Sequence, residues 1–447
     1  MIGMKYESIK TAILTFLVLS SIVLTWTLWT YQPEYKDIEA NDDLVEEVTE
    51  NIKRDTSQII KPSKILYHIE GGHFGTFNEI ELNRVMKEIR LWEITDIQNI
   101  THTVQEAGLA DFLSQNGHVE IDFPDPFPLQ LYKSFLNIND KEHSLISFDR
   151  FIIDVNSEDR GEGIVYFVST GDNLVYEGRV ESRLTKDFRR TFYTTATRYP
   201  EQIEYKLSET NSIYLPKDTT EVNHYEYFLD ALDINIFVKR LFTNPNLVKS
   251  DRLTTGEVHT DGTRLLRVYN NEKYIEFINP TRMNGKQANT TTDLIQTSID
   301  FVNEHVGWTD DYRFFSWNKE SEATVFKLYI KNIPVFSSRK GLADITQQWE
   351  NNEIVEYAHP SINLQIGLPP VVNYLPKGEK VMESITSMRD FNPELLDSVT
   401  VAYEMVEKED NSQFVSLQPI WSYRYNGSWL KVEIKDGDLG GHEDGLE

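Results

Sequence analysis

From Thr11 to Trp29 the chain reads TAILTFLVLSSIVLTWTLW, a run without one charged side chain. At 1.5 Å per helical residue, about 20 such residues cross the ~30 Å hydrocarbon layer of a bilayer, so this run predicts a single transmembrane helix over residues 11–31. Lys5 and Lys10 precede it, whereas Glu34, Asp37, Glu39, Asp42, Asp43, Glu46 and Glu47 follow it with only Lys36 among them. Cationic flanks stay in the cytoplasm, which places residues 1–10 inside and the bulk of the chain outside the cell membrane. A removed signal peptide would end in small residues after a shorter apolar core. This run ends instead in Trp26, Trp29 and Tyr31, aromatic side chains suited to anchoring at the membrane interface, which favours a retained anchor.

Within the run, Thr11, Thr15, Ser21 and Thr25 fall on one broad helical face, while Ser20 and Thr27 lie opposite. Small hydroxylated residues let helices approach closely in lipid, so this face is a candidate helix–helix contact. A plain anchor, its hydroxyls bonded to its own backbone, is the other reading, and the segment alone does not choose between them.

The remainder of the 447 residues is long enough for two or three globular units. Lys plus Arg number 44 against 71 Asp plus Glu, and the net charge of -27 repels polyanions, which excludes nucleic acid as an expected partner. Without cysteine there is no disulfide, thiol nucleophile or thiolate metal site.

Patterning predicts an α+β chain with mainly antiparallel sheets. Leu44, Val45, Val48 and Ile52 recur at helical spacing between Asp42 and Arg54, and Leu82, Val85, Met86 and Ile89 mark a second helix ending near Trp92. KILYHIEG from Lys64, HVEIDF from His118, the run Leu145–Val155, GIVYFV from Gly163 and LVYEGRV from Leu174 read as strands, the later ones forming a meander. A linker is expected near Tyr199–Thr210, and a new unit beginning with SIYLP at Ser212, followed by a helix-rich stretch from Val222 to Phe242. TRLLRVY from Thr263 and KYIEFI from Lys273 read as a hairpin, then a helix carries Ile295, Ile299, Val302 and Val306, then strands run to NIPVF. A strand near Ile362, a helix near Lys380 and late strands VTVAYEMV and FVSLQPIWSYRY close the pattern. The resulting division is an N-terminal ectodomain over 32–205, a central domain over 206–340, a C-terminal domain over 341–435 and a disordered acidic tail over 436–447. Tyr-Leu-Pro-Lys occurs at Tyr214 and again at Tyr374, which raises a duplication of the two outer units as a hypothesis.

No catalytic, cofactor-binding or metal-binding residue is singled out. His68 and His73 in HIEGGHFG are the nearest to a ligand pair, but a strand followed by a Gly turn does not require their rings to meet. Ser337 and Lys340 match a Ser-x-x-Lys spacing without its companion motifs, and a polar turn explains them. Asp436, Asp438, Asp444 and Glu447 take calcium-loop spacings, but Gly440 stands where an oxygen ligand belongs. These absences point to a regulatory or binding protein, not an enzyme. An anchored module that binds a wall polymer or peptide is the alternative, using Trp421, Tyr423, Tyr425 and Trp429 as an exposed groove; a packed hairpin is the simpler account of that alternation.

The opening MKYESIKTAILTFLVLSSIVLTWTLWTYQPEY from Met4, LFTNPNLV at Leu241, TDGTRLLRVY at Thr260 and LQPIWSYRYNGSWL at Leu417 together resemble the YycH family of Gram-positive bacteria over nearly the whole chain. The resemblance implies one membrane helix and a three-domain outer part whose last two domains are similar to the companion protein YycI. It implies an accessory regulator of the WalK sensor histidine kinase that acts with YycI on the response regulator WalR and cell-wall metabolism, without catalytic residues or cofactor. It also implies contact between the transmembrane helix and those of the kinase, which favours the contact reading of Thr11, Thr15, Ser21 and Thr25.

Overall fold

The structure is a computed structural model that describes residues 14, 16–21, 25, 52–133, 135–139, 146–157, 161–271, 273–280, 291–350, 353–408 and 411–434. The chain divides into two compact units, residues 1–50 and 51–447. In the first, the described residues between 14 and 25 are helical. The expected helix over Asp42–Arg54 lies outside the described residues up to Asn51, and residues 52–54 are not helical. The acidic tail with Asp436, Asp438, Gly440, Asp444 and Glu447 also lies outside them.

The second unit is α+β and mostly sheet. Among the described residues its first sheet has ten strands: β1 (Lys64–Ile69), β2 (Gly72–Thr76), β3 (Glu93–Asn99), β4 (His118–Pro128), β5 (Asn137–Ile138), β6 (Ser147–Asp154), β7 (Gly163–Ser169), β8 (Leu174–Val180), β9 (Glu201–Lys206) and β10 (Ser212–Pro216). The order is β10-β9-β2-β1-β4-β6-β7-β8-β3-β5, so the expected meander is present at its centre. Alternation decides which way each residue faces. Ile65, Tyr67, Val119, Ile121, Phe151 and Ile153 join the main core with Leu82, Val85, Met86 and Ile89 of the helix Glu79–Ile89. That helix starts where Asn78 Oδ1 accepts the amides of Ile80 and Glu81, a cap that contributes about 1 kcal/mol. On the opposite face Ile152, Ile164, Tyr166, Val168 and Val175 pack under Val104, Leu109, Phe112 and Leu113. The remaining part of that face, over β1, β2, β4, β9 and β10, carries His68, His73, Glu120, Glu204 and Tyr214 beside Leu66.

Among the described residues the second sheet has fifteen strands: β11 (Thr220–Ala231), β12 (Lys249–Leu253), β13 (Gly256–Thr260), β14 (Leu265–Tyr269), β15 (Tyr274–Ile278), β16 (Tyr312–Asn318), β17 (Ala323–Ile330), β18 (Ile333–Phe336), β19 (Asp344–Glu350), β20 (Glu353–Pro360), β21 (Ile362–Gly367), β22 (Val371–Leu375), β23 (Leu396–Lys408), β24 (Asn411–Tyr425) and β25 (Ser428–Lys431). Its main path is β12-β13-β14-β15-β20-β19-β17-β18-β23-β24-β11-β21, so strands from either side of residue 341 alternate in one sheet. Among the described pairs only β3 with β5 and β18 with β23 run parallel. The expected helices near Ile295 and Lys380 are present as Thr291–Glu304 and Gly378–Thr386.

Two expectations are corrected here. The helix-rich stretch from Val222 is β11 as far as Ala231, because Tyr225, Tyr227 and Phe228 suit a pleated surface. The helix begins only at Ile234, after Asp233 caps it by accepting the Asn235 amide. The expected linker Tyr199–Thr210 contains β9, and SIYLP forms β10, the outer strand of the first sheet. The hairpin β14–β15 is as expected. Among the described residues of its turn, Lys273 takes a positive φ.

Candidate functional site

Of the residues expected to make helix contacts, Ser21 and Thr25 are described; both are helical and exposed. The Thr25 hydroxyl donates to the Ser21 carbonyl at 2.8 Å, and that of Ser20 donates to the Leu17 carbonyl at 3.0 Å. These hydroxyls therefore satisfy themselves on their own helix while their side chains stay accessible. Thr11, Thr15 and the interface anchors Trp26, Trp29 and Tyr31 lie outside the described residues. Among the described residues, no helix is long and apolar enough to cross a membrane.

A polar cluster occupies the face of the first sheet that the apolar helices leave uncovered. β1 and β2 form a hairpin whose turn includes Gly71 at φ +73°, and its register sets His68 directly opposite His73. The sequence left open whether the rings meet, and they do: their Nδ1 atoms are 2.7 Å apart. On the other side of His68, Nε2 lies 2.6 Å from Glu120 Oε1, while Glu120 Oε2 accepts from Arg150 at 2.6 Å. Beyond His73, Nε2 lies 3.9 Å from Glu204 Oε2, and the Tyr214 hydroxyl donates to Glu204 Oε1 at 3.0 Å. β4 supplies Glu120 and Asp122 from alternate positions, β6 supplies Arg150 opposite Asp122, and β9 and β10 supply Glu204 and Tyr214.

The protonation pattern follows from donor and acceptor chemistry. A carboxylate only accepts, so His68 Nε2 carries a hydrogen toward Glu120. With both rings neutral, His68 Nδ1 is then bare, and His73 donates its Nδ1–H across the 2.7 Å contact. Burial opposes the charge on Glu120, which is fully enclosed, but Arg150 and His68 outweigh it and hold the carboxyl below the ordinary range. Burial likewise works against the Arg150 cation and is outweighed by Asp122, Glu120 and Asp149, so the guanidinium is held charged. Burial, then the neighbouring His68, lowers the pKa of His73. Burial, then the fields of Glu120 and Glu204, raises that of Tyr214.

The cluster ties β1, β2, β4, β6, β9 and β10 together through polar side chains. Among the described residues, no group of three or more His, Cys, Asp or Glu side chains is placed to hold a metal ion. The Ser-x-x-Lys match is a turn: Ser337 Oγ accepts the Arg339 amide, and Lys340 pairs with Glu276 at 3.0 Å. The exposed aromatic groove expected for a wall-binding module is absent at its proposed residues. Trp421 and Tyr423 are only 4% and 6% exposed, bonded to Pro376 O and Met388 Sδ. Tyr425 accepts the Asn392 amide, and Trp429 stands opposite Arg424, on the other face, against Phe315 and Phe336. Strand alternation splits the four residues between two packed faces, which is the hairpin reading.

Sequence reasoning missed Glu120, Arg150, Glu204 and Tyr214. One signal was available, since two histidines flanking Ile-Glu-Gly-Gly become cross-strand neighbours when Glu70 and Gly71 make a tight turn. The rest come from strands with no local sequence relation to it.

Comparison with known proteins completes the picture. Residues 7–192 match the family model described as YycH protein, N-terminal domain, and residues 210–438 that described as YycH protein, C-terminal domain. The two-component system WalR/WalK regulatory protein YycH of Bacillus subtilis (strain 168) is 25% identical, covering 96% of this chain and 97% of its own. The crystal structure of YycH from Bacillus subtilis has the same fold, with a TM-score of 0.72 at 21% identity over 86% of this chain and 98% of that one.

Proposed function

This chain belongs to the YycH family, and from that premise we propose that it is a membrane-anchored extracytoplasmic regulator of a WalK-type sensor histidine kinase, acting with a YycI-like companion on cell-wall metabolism. The observation that carries the reading is the match with the Bacillus subtilis regulatory protein over 96% of this chain, beside the family-model match over residues 7–192, which contains the uncharged run. In this reading residues 11–31 cross the cell membrane with the N-terminus in the cytoplasm, Trp26, Trp29 and Tyr31 sit at its outer interface, and Thr11, Thr15, Ser21 and Thr25 face the kinase or companion helices. The division of the outer part at 205, 340 and 435, and the kinship of its last two portions with YycI, belong to the same proposal. No catalytic step is assigned to it.

A kinase signals by exchanging two helix arrangements, and a neighbouring helix alters activity only by binding one arrangement better than the other. A bias of about 1 to 3 kcal/mol, or about 5- to 150-fold, is enough to reset output. The test replaces residues 11–29 with an unrelated single-pass helix. Loss of kinase co-purification and altered phosphorylation of the regulator are expected. Unchanged values of both defeat the proposal.

A further inference from the structure

The hairpin β9–β10 is held to the first sheet by few backbone links. β9 pairs with β2 only at Gln202 with His73 and Glu201 with Phe74, beside one bond from the Gly75 amide to the Pro200 carbonyl. The same hairpin joins the two sheets. β10 runs on into β11, and the helix Gly378–Thr386 starts so close to it that a Cβ on Gly378 would lie 2.3 Å from that of Leu215. Ile213 and Leu215 of β10 also enter the core, the Glu209 carbonyl in the turn accepts the Ala110 amide, Lys206 pairs with Asp111, and on the polar face the attachment is reinforced by the histidine cluster. The Tyr214 ring packs on those of His73 and His68 with centroids at 4.9 and 5.4 Å, and its hydroxyl bonds Glu204 of β9.

The pair of rings has a fixed capacity for protons. One hydrogen is committed on His68 Nε2 to Glu120, and one occupies the contact between the two Nδ1 atoms. His73 Nε2, facing Glu204, can take a third, which makes the pair a single shared cation between two carboxylates. A fourth would place two N–H groups head to head across 2.7 Å, and the rings must then part. We propose that the His68–His73 pair is a proton-operated latch that holds β9–β10 to β2 while it carries at most one positive charge and releases the hairpin when acid loads a second.

The groups facing the pair are Glu120 of β4, Arg150 of β6, Glu204 of β9 and Tyr214 of β10, with His118 beyond Glu120. Glu120 is already balanced by Arg150, so it offers little to a second cation. The direction of the response follows from linkage. Enclosed against His68, His73 binds protons less readily than in water, so opening is favoured as pH falls, by up to tenfold for each unit by which its closed-state pKa lies below the open-state one. This inference does not depend on the kinase reading.

Hydrogen–deuterium exchange on the full chain in detergent, at pH 7.5 and 5.0 with rates normalised to the unfolded chain, tests it. Amides of Glu201–Lys206 and Gly72–Thr76 are expected to lose protection at pH 5.0, about tenfold more than those of β6 and β7, and His73→Gln is expected to abolish the difference. Glu204→Gln, which removes the carboxylate that favours the first cation, is expected to enlarge the loss. Protection in the wild type that does not change with pH overturns the latch. So does an acid-induced loss that persists unaltered in His73→Gln or, if that variant does not fold, one that Glu204→Gln fails to enlarge.

Discussion

Replacing Arg150 by methionine removes the guanidinium that stands 2.6 Å from the buried Glu120 and leaves the aliphatic volume roughly filled. Glu120 has 0% exposure, so its charge cannot be recovered by water, and the remaining donor is His68 Nε2–H. Breaking a buried pair from one side costs about 3 to 5 kcal/mol. The value belongs in that range and not below it, because Arg150 also faces Asp122 and Asp149, which repel Glu120 once the cation is gone. The pH dependence is a second, independent signature. In the wild type the lowered Glu120 pKa contributes stability present above the unfolded carboxyl pKa and lost as pH falls through the folded one. Without Arg150, burial pushes the carboxyl upward, protonation relieves the variant, and the penalty shrinks between pH 8 and pH 5. Denaturant unfolding of residues 51–447 at both pH values, compared at constant slope, measures this. Adding Glu120→Gln, which keeps an acceptor for His68, is expected to restore at least half of the loss. A penalty under about 1 kcal/mol at pH 8, or one independent of pH, refutes the electrostatic account of the cluster.

His359 is buried among Phe237, Tyr312 and Tyr357, its Nδ1 donates to Pro360 O, and burial pushes its pKa down to about 4. Its contribution is therefore present above about pH 6.5 and lost on acidification toward pH 4, by about 2 kcal/mol between pH 7.5 and 5, and His359→Phe should flatten the acid limb of the unfolding curve by that amount. Burial pushes Asp310 up to about 6, so its contribution runs the opposite way, being lost as pH rises through 6. Asp310→Asn, which keeps an acceptor for the Leu364 amide, should stabilise by about 2 kcal/mol at pH 8 and by nothing near pH 4 in the same assay. Gly378→Ala drives a Cβ to 2.8 Å from the Pro216 carbonyl oxygen and should cost about 1 to 3 kcal/mol, read as faster amide exchange in β10.

Much of the fold is legible locally. The strands from Lys64, His118, Gly163 and Leu174 and the helix with Leu82, Val85, Met86 and Ile89 all stand where their periodicity puts them. The failures have physical causes. Val222–Ala231 carries apolar residues at spacings compatible with a helix, and only its position between β24 and the β21–β22 edge makes it a strand. Glu201–Lys206 is too polar to read as a strand, since it lies near the margin of its sheet with most side chains half exposed. The aromatic residues of the β24–β25 hairpin are legible as alternating, but which partners cover each face is not.

By itself the sequence determined the features that depend on neighbouring residues. These are an uncharged run as long as a bilayer is thick, the alternation of individual strands, the hairpin turns and an acidic field. The tertiary structure alone decided which distant strands lie side by side, and with them the candidate latch. His68 meets Glu120 from 52 residues away, Arg54 meets Asp311 from 257, and the two portions flanking residue 341 interleave in one sheet. Periodicity states which side of a strand must leave water, but not which other strand will cover it; that choice is made by burial and charge pairing summed over the whole chain.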